Sequence, residues 1–240
     1  MYQYKLTFAL EKNRLPRELD RLIVSFLKAS AQAVSQEFYE KLYDKSKSVL
    51  KGYSFSYHLP GAKFLKEEIE LGSNSFSLFF SDVDQQELLM FFNGFQCMKY
   101  RKIPMNGNSM SLLSIRMQPL SEIREREIVI RMQSPLIVRN HHTEDNTDIY
   151  YTCETEGFEQ ALKENIRLFL ERLGMDISTE DFSIQTIKGK KVVVPVFGRP
   201  VDASLGIFKL TGSSQLLNIL YQAGMGTRRS AGHGKFEVIG

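Results

Sequence analysis

Apolar positions crowd YQYKLTFAL (2–10), a run rich in aromatic and β-branched residues that predicts a strand. The period then changes. Leu19, Leu22, Ile23, Phe26 and Leu27 fall on one helical face, and Pro16 stands where a first-turn proline would open that helix. SQEFYEKLYD (35–44) predicts a second, short helix capped by Ser35. YSFSYHL (53–59) alternates and SFSLFFS (75–81) follows it, both predicting strands. DVDQQELLMFFNG (82–94) predicts a helix with an aspartate start and a glycine stop, and SLLSIRMQPL (111–120) a closing strand.

The pattern then restarts. EIVIRMQSPLIV (127–138) contains a strand, and EGFEQALKENIRLFLERLG (156–174) predicts the clearest helix, ending at Gly174. DFSIQTIKGKKVVVPVFG (181–198) predicts a hairpin turning at Lys188 to Lys190, and SLGIFKLTG (204–212) a strand. SSQLLNILYQAG (213–224) is a short helix with a serine cap, and KFEVIG (235–240) a last strand. Strand–helix–strand–strand–helix–strand, read twice, is an α+β plan of two tandem ferredoxin-like domains, 1–122 and 123–240, with the boundary near SEIRER (121–126).

Composition narrows the class. The 240 residues are 42% hydrophobic and 25% charged, which suits one large or two small globular domains. A net charge of +3 says little by itself, so the placement of the charges must carry the argument. Cys97 and Cys153 have no metal-type spacing, and a reduced cytoplasmic protein is the expectation. The first residues are neither a signal peptide nor an anchor, and no segment reaches the roughly 18 to 20 apolar residues that span a bilayer.

GMGTRRSAGHGKF (224–236) places four glycines and two adjacent arginines near the end of the chain. A Walker A loop fails, because Arg229 stands where its first glycine is needed and Phe236 follows Lys235. A dinucleotide fingerprint fails at its third glycine, again Arg229, and the loop runs from a helix into the last strand. Two readings remain. Small residues beside arginine let a polyanion approach the main chain; equally, a glycine-rich turn can simply close the last strand.

The loop G-M-G-T-R-R-S-A-G-H-G resembles the C-terminal glycine-rich signature of the CRISPR repeat-processing endoribonucleases of the RAMP superfamily. An N-terminal strand leading to a helix after L-P, S-P-L-I-V (134–138) and E-N-I (164–166) extend the resemblance over the whole chain. His233 departs from it, standing at a position usually hydrophobic. The resemblance implies two ferredoxin-like domains that bind CRISPR repeat RNA in the precursor transcript and cut once per repeat, with no metal or other cofactor. The 2′-hydroxyl would attack the adjacent phosphate, leaving a 2′,3′-cyclic phosphate and a 5′-hydroxyl. Such chemistry needs a base, an acid and a cation.

Many relatives supply a histidine at the end of the second helix. Here the stretch reads LYDKSKSVLKGYSFS (42–56), and Tyr43 takes that place. A free tyrosine titrates near pH 10, so it is a poor base unless cations act on it. Lys45, Lys47 and Lys51 follow closely, and Lys28 lies on the first helix, opposite the apolar stripe, near where some members carry a catalytic tyrosine. Tyr43, Lys28, Lys45, Lys47 and Lys51 are therefore the catalytic candidates; a solvated lysine run and a helix-end tyrosine without chemistry are the alternative.

The RNA-binding candidates are Gly224, Gly226, Arg228, Arg229, Gly232, His233 and Gly234 in the loop, Lys188, Lys190 and Lys191 in the expected hairpin, and Arg139. Lys99, Arg101 and Lys102 beside Tyr100, with Arg124, Arg126 and Arg131, extend a basic track whose phosphate contacts would give affinity rather than sequence readout. His58 reads as structural. His141 and His142, among Glu144, Asp145 and Asp148, are a weak metal signal. Three rival roles remain: a repeat-RNA-binding member that has lost the histidine and does not cut, a structural subunit of a CRISPR ribonucleoprotein, and a metal-dependent nuclease, for which no carboxylate cluster has convincing spacing. A homodimer and contacts with effector subunits are further expectations.

Overall fold

The computed structural model describes all residues except 45, 47, 48, 106, 143, 145 and 146, and of His142 only the backbone. The residues group into two compact units, 2–51 with 56–120, and 121–240 with Met1 and 52–55.

In the first unit β1 (Tyr2–Leu10) runs into β2 (Arg14–Pro16), α1 (Leu19–Val34) and α2 (Gln36–Tyr43). β3 (Tyr53–His58), whose residues 53–55 group with the second unit, β4 (Lys63–Phe64), β5 (Glu68–Glu70) and β6 (Ser75–Asp82) follow, then α3 (Gln85–Met98), β7 (Ile103–Met105) and β8 (Asn108–Pro119). The main sheet has the order β3-β6-β1-β8-β7. β1 is antiparallel to both neighbours, with Leu6 opposite Leu78 and Ile115. Alternate β1 side chains from Tyr4 to Leu10 are buried, as strand periodicity requires. Phe8 stacks on Phe76 with ring centres 4.9 Å apart, Phe26 of α1 on Phe95 of α3 at 5.6 Å, and Phe80 packs edge-on against Phe91 at 4.8 Å.

Two expectations about this unit are corrected. Pro16 does not open α1. It pairs with Glu68 in a small sheet ordered β2-β5-β4, tied by an Arg14–Glu68 ion pair of 2.8 Å, and the helix begins at Leu19. Nor does Gly94 stop α3, which continues to Met98. A Cβ at Gly94 would run into the Ser30 carbonyl oxygen of α1, so this glycine serves close helix approach rather than termination.

In the second unit β9 (Glu127–Met132) precedes β10 (Val138–His142), β11 (Thr147–Tyr151) and α4 (Phe158–Arg172). β12 (Ser183–Val196), β13 (Arg199–Thr211), α5 (Ser214–Ala223) and β14 (Phe236–Val238) complete it. Its sheet has the order β12-β13-β9-β14. α4 and α5 contribute Phe158, Leu162, Ile166, Leu216, Leu217 and Leu220 to a core shared with Ile128, Ile130, Phe208 and Phe236 of the strands. In both units the first strand of the repeated plan lies between the third and the fourth, with the second outside the third. This is the tandem ferredoxin-like fold expected from the pattern.

The hairpin turn expected at Lys188–Lys190 is also corrected. Those lysines lie within the long strand β12, and the turn falls at Phe197 and Gly198, both with positive φ (49° and 86°). Gly189 pairs with Gly206, where a Cβ would strike the Lys188 carbonyl oxygen. The glycines permit close strand approach at a register shift, while the β-branched run 192–194 carries the strand onward. The polar stretch around His141 is a hairpin, with Arg139 opposite Tyr150 and His141 opposite Asp148. Both cysteines are free thiols. Among the described residues no helix is long and apolar enough to cross a membrane.

Candidate active site and nucleic-acid interface

Ser35 sets the geometry at the end of α2. Its extended backbone ends α1, and its hydroxyl accepts the Phe38 N–H at 3.0 Å to start α2. Phe38 and Leu42 are then buried, with the Phe38 ring 5.2 Å from that of Phe91. This seats Tyr43, the last residue of α2, with its side chain 8% exposed. The Lys28 ammonium lies 5.5 Å from the Tyr43 ring centre and the Lys51 ammonium 5.2 Å from it. Three of the five catalytic candidates thus meet around one phenol ring. Lys45 and Lys47 lie outside the described residues.

Burial lowers the Lys51 pKa, and the positive charge of Lys28 lowers it further, against an opposing pull from Glu87. An amine in this setting is more often neutral than a surface lysine, so it is better able to accept a proton.

Sequence reading missed the acids behind this cluster. Glu87 is buried in the first turn of α3 and bonded to Lys41 at 2.8 Å, while Asp84 caps α3 by accepting the Gln86 and Glu87 N–H groups. Asp82 is fully buried. Its Oδ1 accepts the Asp84 N–H, its Oδ2 has no hydrogen-bond partner among the described residues, and burial raises its pKa well above the carboxylate range. An aspartate start to the helix was legible at 82–84; the burial of Asp82 and Glu87 was not.

The glycine-rich loop is packed rather than open. Gly224, Gly226, Gly232 and Gly234 all have positive φ, from 71° to 90°. The Met225 N–H donates to Gly234 O at 2.9 Å, the Gly234 N–H to Pro135 O at 2.9 Å and the Thr227 N–H to Ile137 O at 2.8 Å. A Cβ at Gly226 would strike the Ile137 carbonyl oxygen, and one at Gly234 that of Met225. These glycines therefore close the loop onto the segment before β10.

The loop's basic residues divide. Arg228 is exposed in a left-handed backbone. Arg229 is buried with its guanidinium 3.3 Å from the Phe169 ring centre, and burial followed by the charge of Arg172 lowers its pKa to about 9. His233 is buried too. Burial, then Arg228, lowers its pKa to about 4, and neither ring nitrogen has a partner among the described residues, so it is a neutral imidazole at pH 7. Lys235 is 1% exposed, and burial lowers its pKa to about 7. Of the loop cations named from the sequence, Arg228 is the one open to solvent.

The remaining candidates divide between paired and exposed side chains. Arg139 holds Asp148 at 3.0 and 3.2 Å, and His141 bonds the same carboxylate at 2.8 Å. Lys191 pairs with Asp202 at 2.7 Å, whereas Lys188 and Lys190 are exposed. Along the expected basic track Lys102 pairs with Glu11, Arg124 with Glu122, Arg126 with Asp181 and Arg131 with Glu237. Among the described residues no group of three or more His, Cys, Asp or Glu is placed to hold a metal ion.

The chain thus combines two ferredoxin-like units, a lysine–tyrosine–lysine cluster at the end of α2 and a C-terminal glycine loop. Residues 118–238 match the family model for the C-terminal part of CRISPR-associated protein Cas6, and the chain belongs to that family. No curated protein sequence matches it. Solved structures share the fold over the whole chain. A RAMP protein described as binding different RNA substrates is similar with a TM-score of 0.84 and 19% identity, covering 100% of both chains. A Cas6-related protein from Pyrococcus furiosus is similar with a TM-score of 0.84 and 19% identity, covering 99% of this chain and 98% of its own. A Cas6 solved as a product complex has a TM-score of 0.73 and 14% identity over 99% of each chain.

Proposed function

We propose that this protein binds CRISPR repeat RNA and cleaves the precursor transcript without a metal ion, at the cluster of Lys28, Tyr43 and Lys51. The observation that carries this reading is the pair of lysine ammoniums, 5.5 and 5.2 Å from the Tyr43 ring centre, at the helix end where the family resemblance places a catalytic histidine. Lys51, with its lowered pKa, takes the proton of the attacking 2′-hydroxyl. The Lys28 side chain stabilises charge on the phosphate. The Tyr43 hydroxyl donates to the leaving 5′-oxygen. Exposed Arg228, Lys188 and Lys190 hold phosphates of the bound RNA. The RNA substrates and product named for the similar structures agree with this class of ligand.

A second reading, binding without cutting, is favoured by one observation: Tyr43 offers a phenol where relatives have an imidazole. One experiment separates the two. The protein is incubated with its host's repeat RNA in excess chelator, binding is followed by gel shift, and product ends are examined. One cut leaving a cyclic phosphate supports the enzyme. Tight binding with no cut, and cleavage gained by Tyr43→His, supports the binding module.

A further inference from the structure

Tyr100 stands in a turn made for another residue. α3 ends at Met98; Lys99 has φ −60° and ψ 134°, Tyr100 has φ 63°, and the Arg101 N–H donates to Met98 O at 3.2 Å. This is the form of a type II turn, whose third position calls for glycine or asparagine. A bulky aromatic there is a backbone outlier. Among the described residues the fold takes one hydrogen bond from it, the Tyr100 N–H donating to Leu112 O at 2.9 Å, which glycine would supply without strain.

The side chain gains nothing from burial. At 67% it is the most exposed large apolar side chain among the described residues. The Lys99 ammonium lies 4.9 Å from the ring centre, and Arg101 beside it is exposed. Lys102 is paired with Glu11, whereas Lys99 and Arg101 form no ion pair among the described residues. A strained backbone thus displays an aromatic face next to two available cations. That combination of π-face and positive charge suits an unpaired nucleotide.

We propose that Tyr100 is a stacking platform for an unpaired base of bound single-stranded RNA, with Lys99 and Arg101 holding the flanking phosphates. This rests on the RNA-binding reading above. The test titrates labelled repeat RNA, and separately a short oligouridylate, against the full chain and its variants, with thermal unfolding in parallel. Tyr100→Gly is expected to raise Tm, by relieving the turn, and to weaken RNA binding about ten-fold. Tyr100→Phe is expected to keep wild-type affinity. Lys99→Ala is expected to lower the salt dependence of binding by about one counterion. If the wild type binds repeat RNA and Tyr100→Gly binds it equally well, the platform is wrong while the RNA-binding reading stands. A ten-fold loss in Tyr100→Phe would also overturn it, by assigning the effect to the hydroxyl. If the wild type binds no repeat RNA, both fall together.

Discussion

The Lys51 ammonium lies 5.2 Å from the centre of the Tyr43 ring. Burial and then Lys28 lower the Lys51 pKa, so the proposed base loses its proton below the ordinary lysine range. Single-turnover cleavage should rise with pH and level off below about 10.5, the unperturbed value. Lys28→Met removes a like charge, raises the Lys51 pKa and moves the rising limb to higher pH. A limb that stays in place would remove Lys51 from the role of base.

Gly226 and Gly234 combine positive φ with carbonyl oxygens where a Cβ would sit. Gly234→Ala should destabilise the protein by about 2–4 kcal/mol, read as a lower denaturant midpoint. Wild-type stability would contradict the packed description of the loop.

Arg228 and Arg229 are neighbours with different surroundings. Arg228→Ala should leave Tm within about 2 °C and reduce the salt slope of RNA binding by about one. Arg229→Ala, which abandons the Phe169 ring, should lower stability by about 1–3 kcal/mol. Equal effects of the two changes on stability would show that burial does not separate them.

His233 has its pKa lowered from 6.5 to about 4. The unfolded chain therefore takes up this proton first as the solution is acidified. The stability is fully present above pH 6.5 and is lost as pH falls to about 4, a change of about 3 kcal/mol. Lys235, lowered to about 7 from 10.5, acts in the same direction between those values. His233→Leu should flatten the Tm–pH curve between pH 4 and 6.5. An unchanged slope would mean that other groups carry the acid sensitivity.

Local chemistry made much of the fold legible. Ser35 and Ser213 cap helices, and in the structure their hydroxyls accept the Phe38 and Leu216 N–H groups. Strand and helix periods gave the repeated plan. Misreadings came where glycine or proline served tertiary contact: Gly94 against Ser30, Gly189 against Gly206, and Pro16 against Glu68. No local pattern distinguishes a glycine that ends an element from one that lets two elements approach. At the site, helical periodicity kept Lys28 off the apolar stripe, and the resemblance pointed to Tyr43. The burial of Asp82, Glu87 and Arg229 depends on long-range packing, which residue spacing does not encode.

The most direct test is single-turnover cleavage of repeat RNA in excess chelator by the wild type, Tyr43→Phe and the double variant Lys28→Met/Lys51→Met, with Kd measured for each. One cut per repeat with a cyclic phosphate end is expected for the wild type. A rate loss of about 10²–10⁴-fold is expected in the double variant, with Kd changed only a few-fold. Cleavage by the double variant at the wild-type rate would place the chemistry elsewhere and contradict the account.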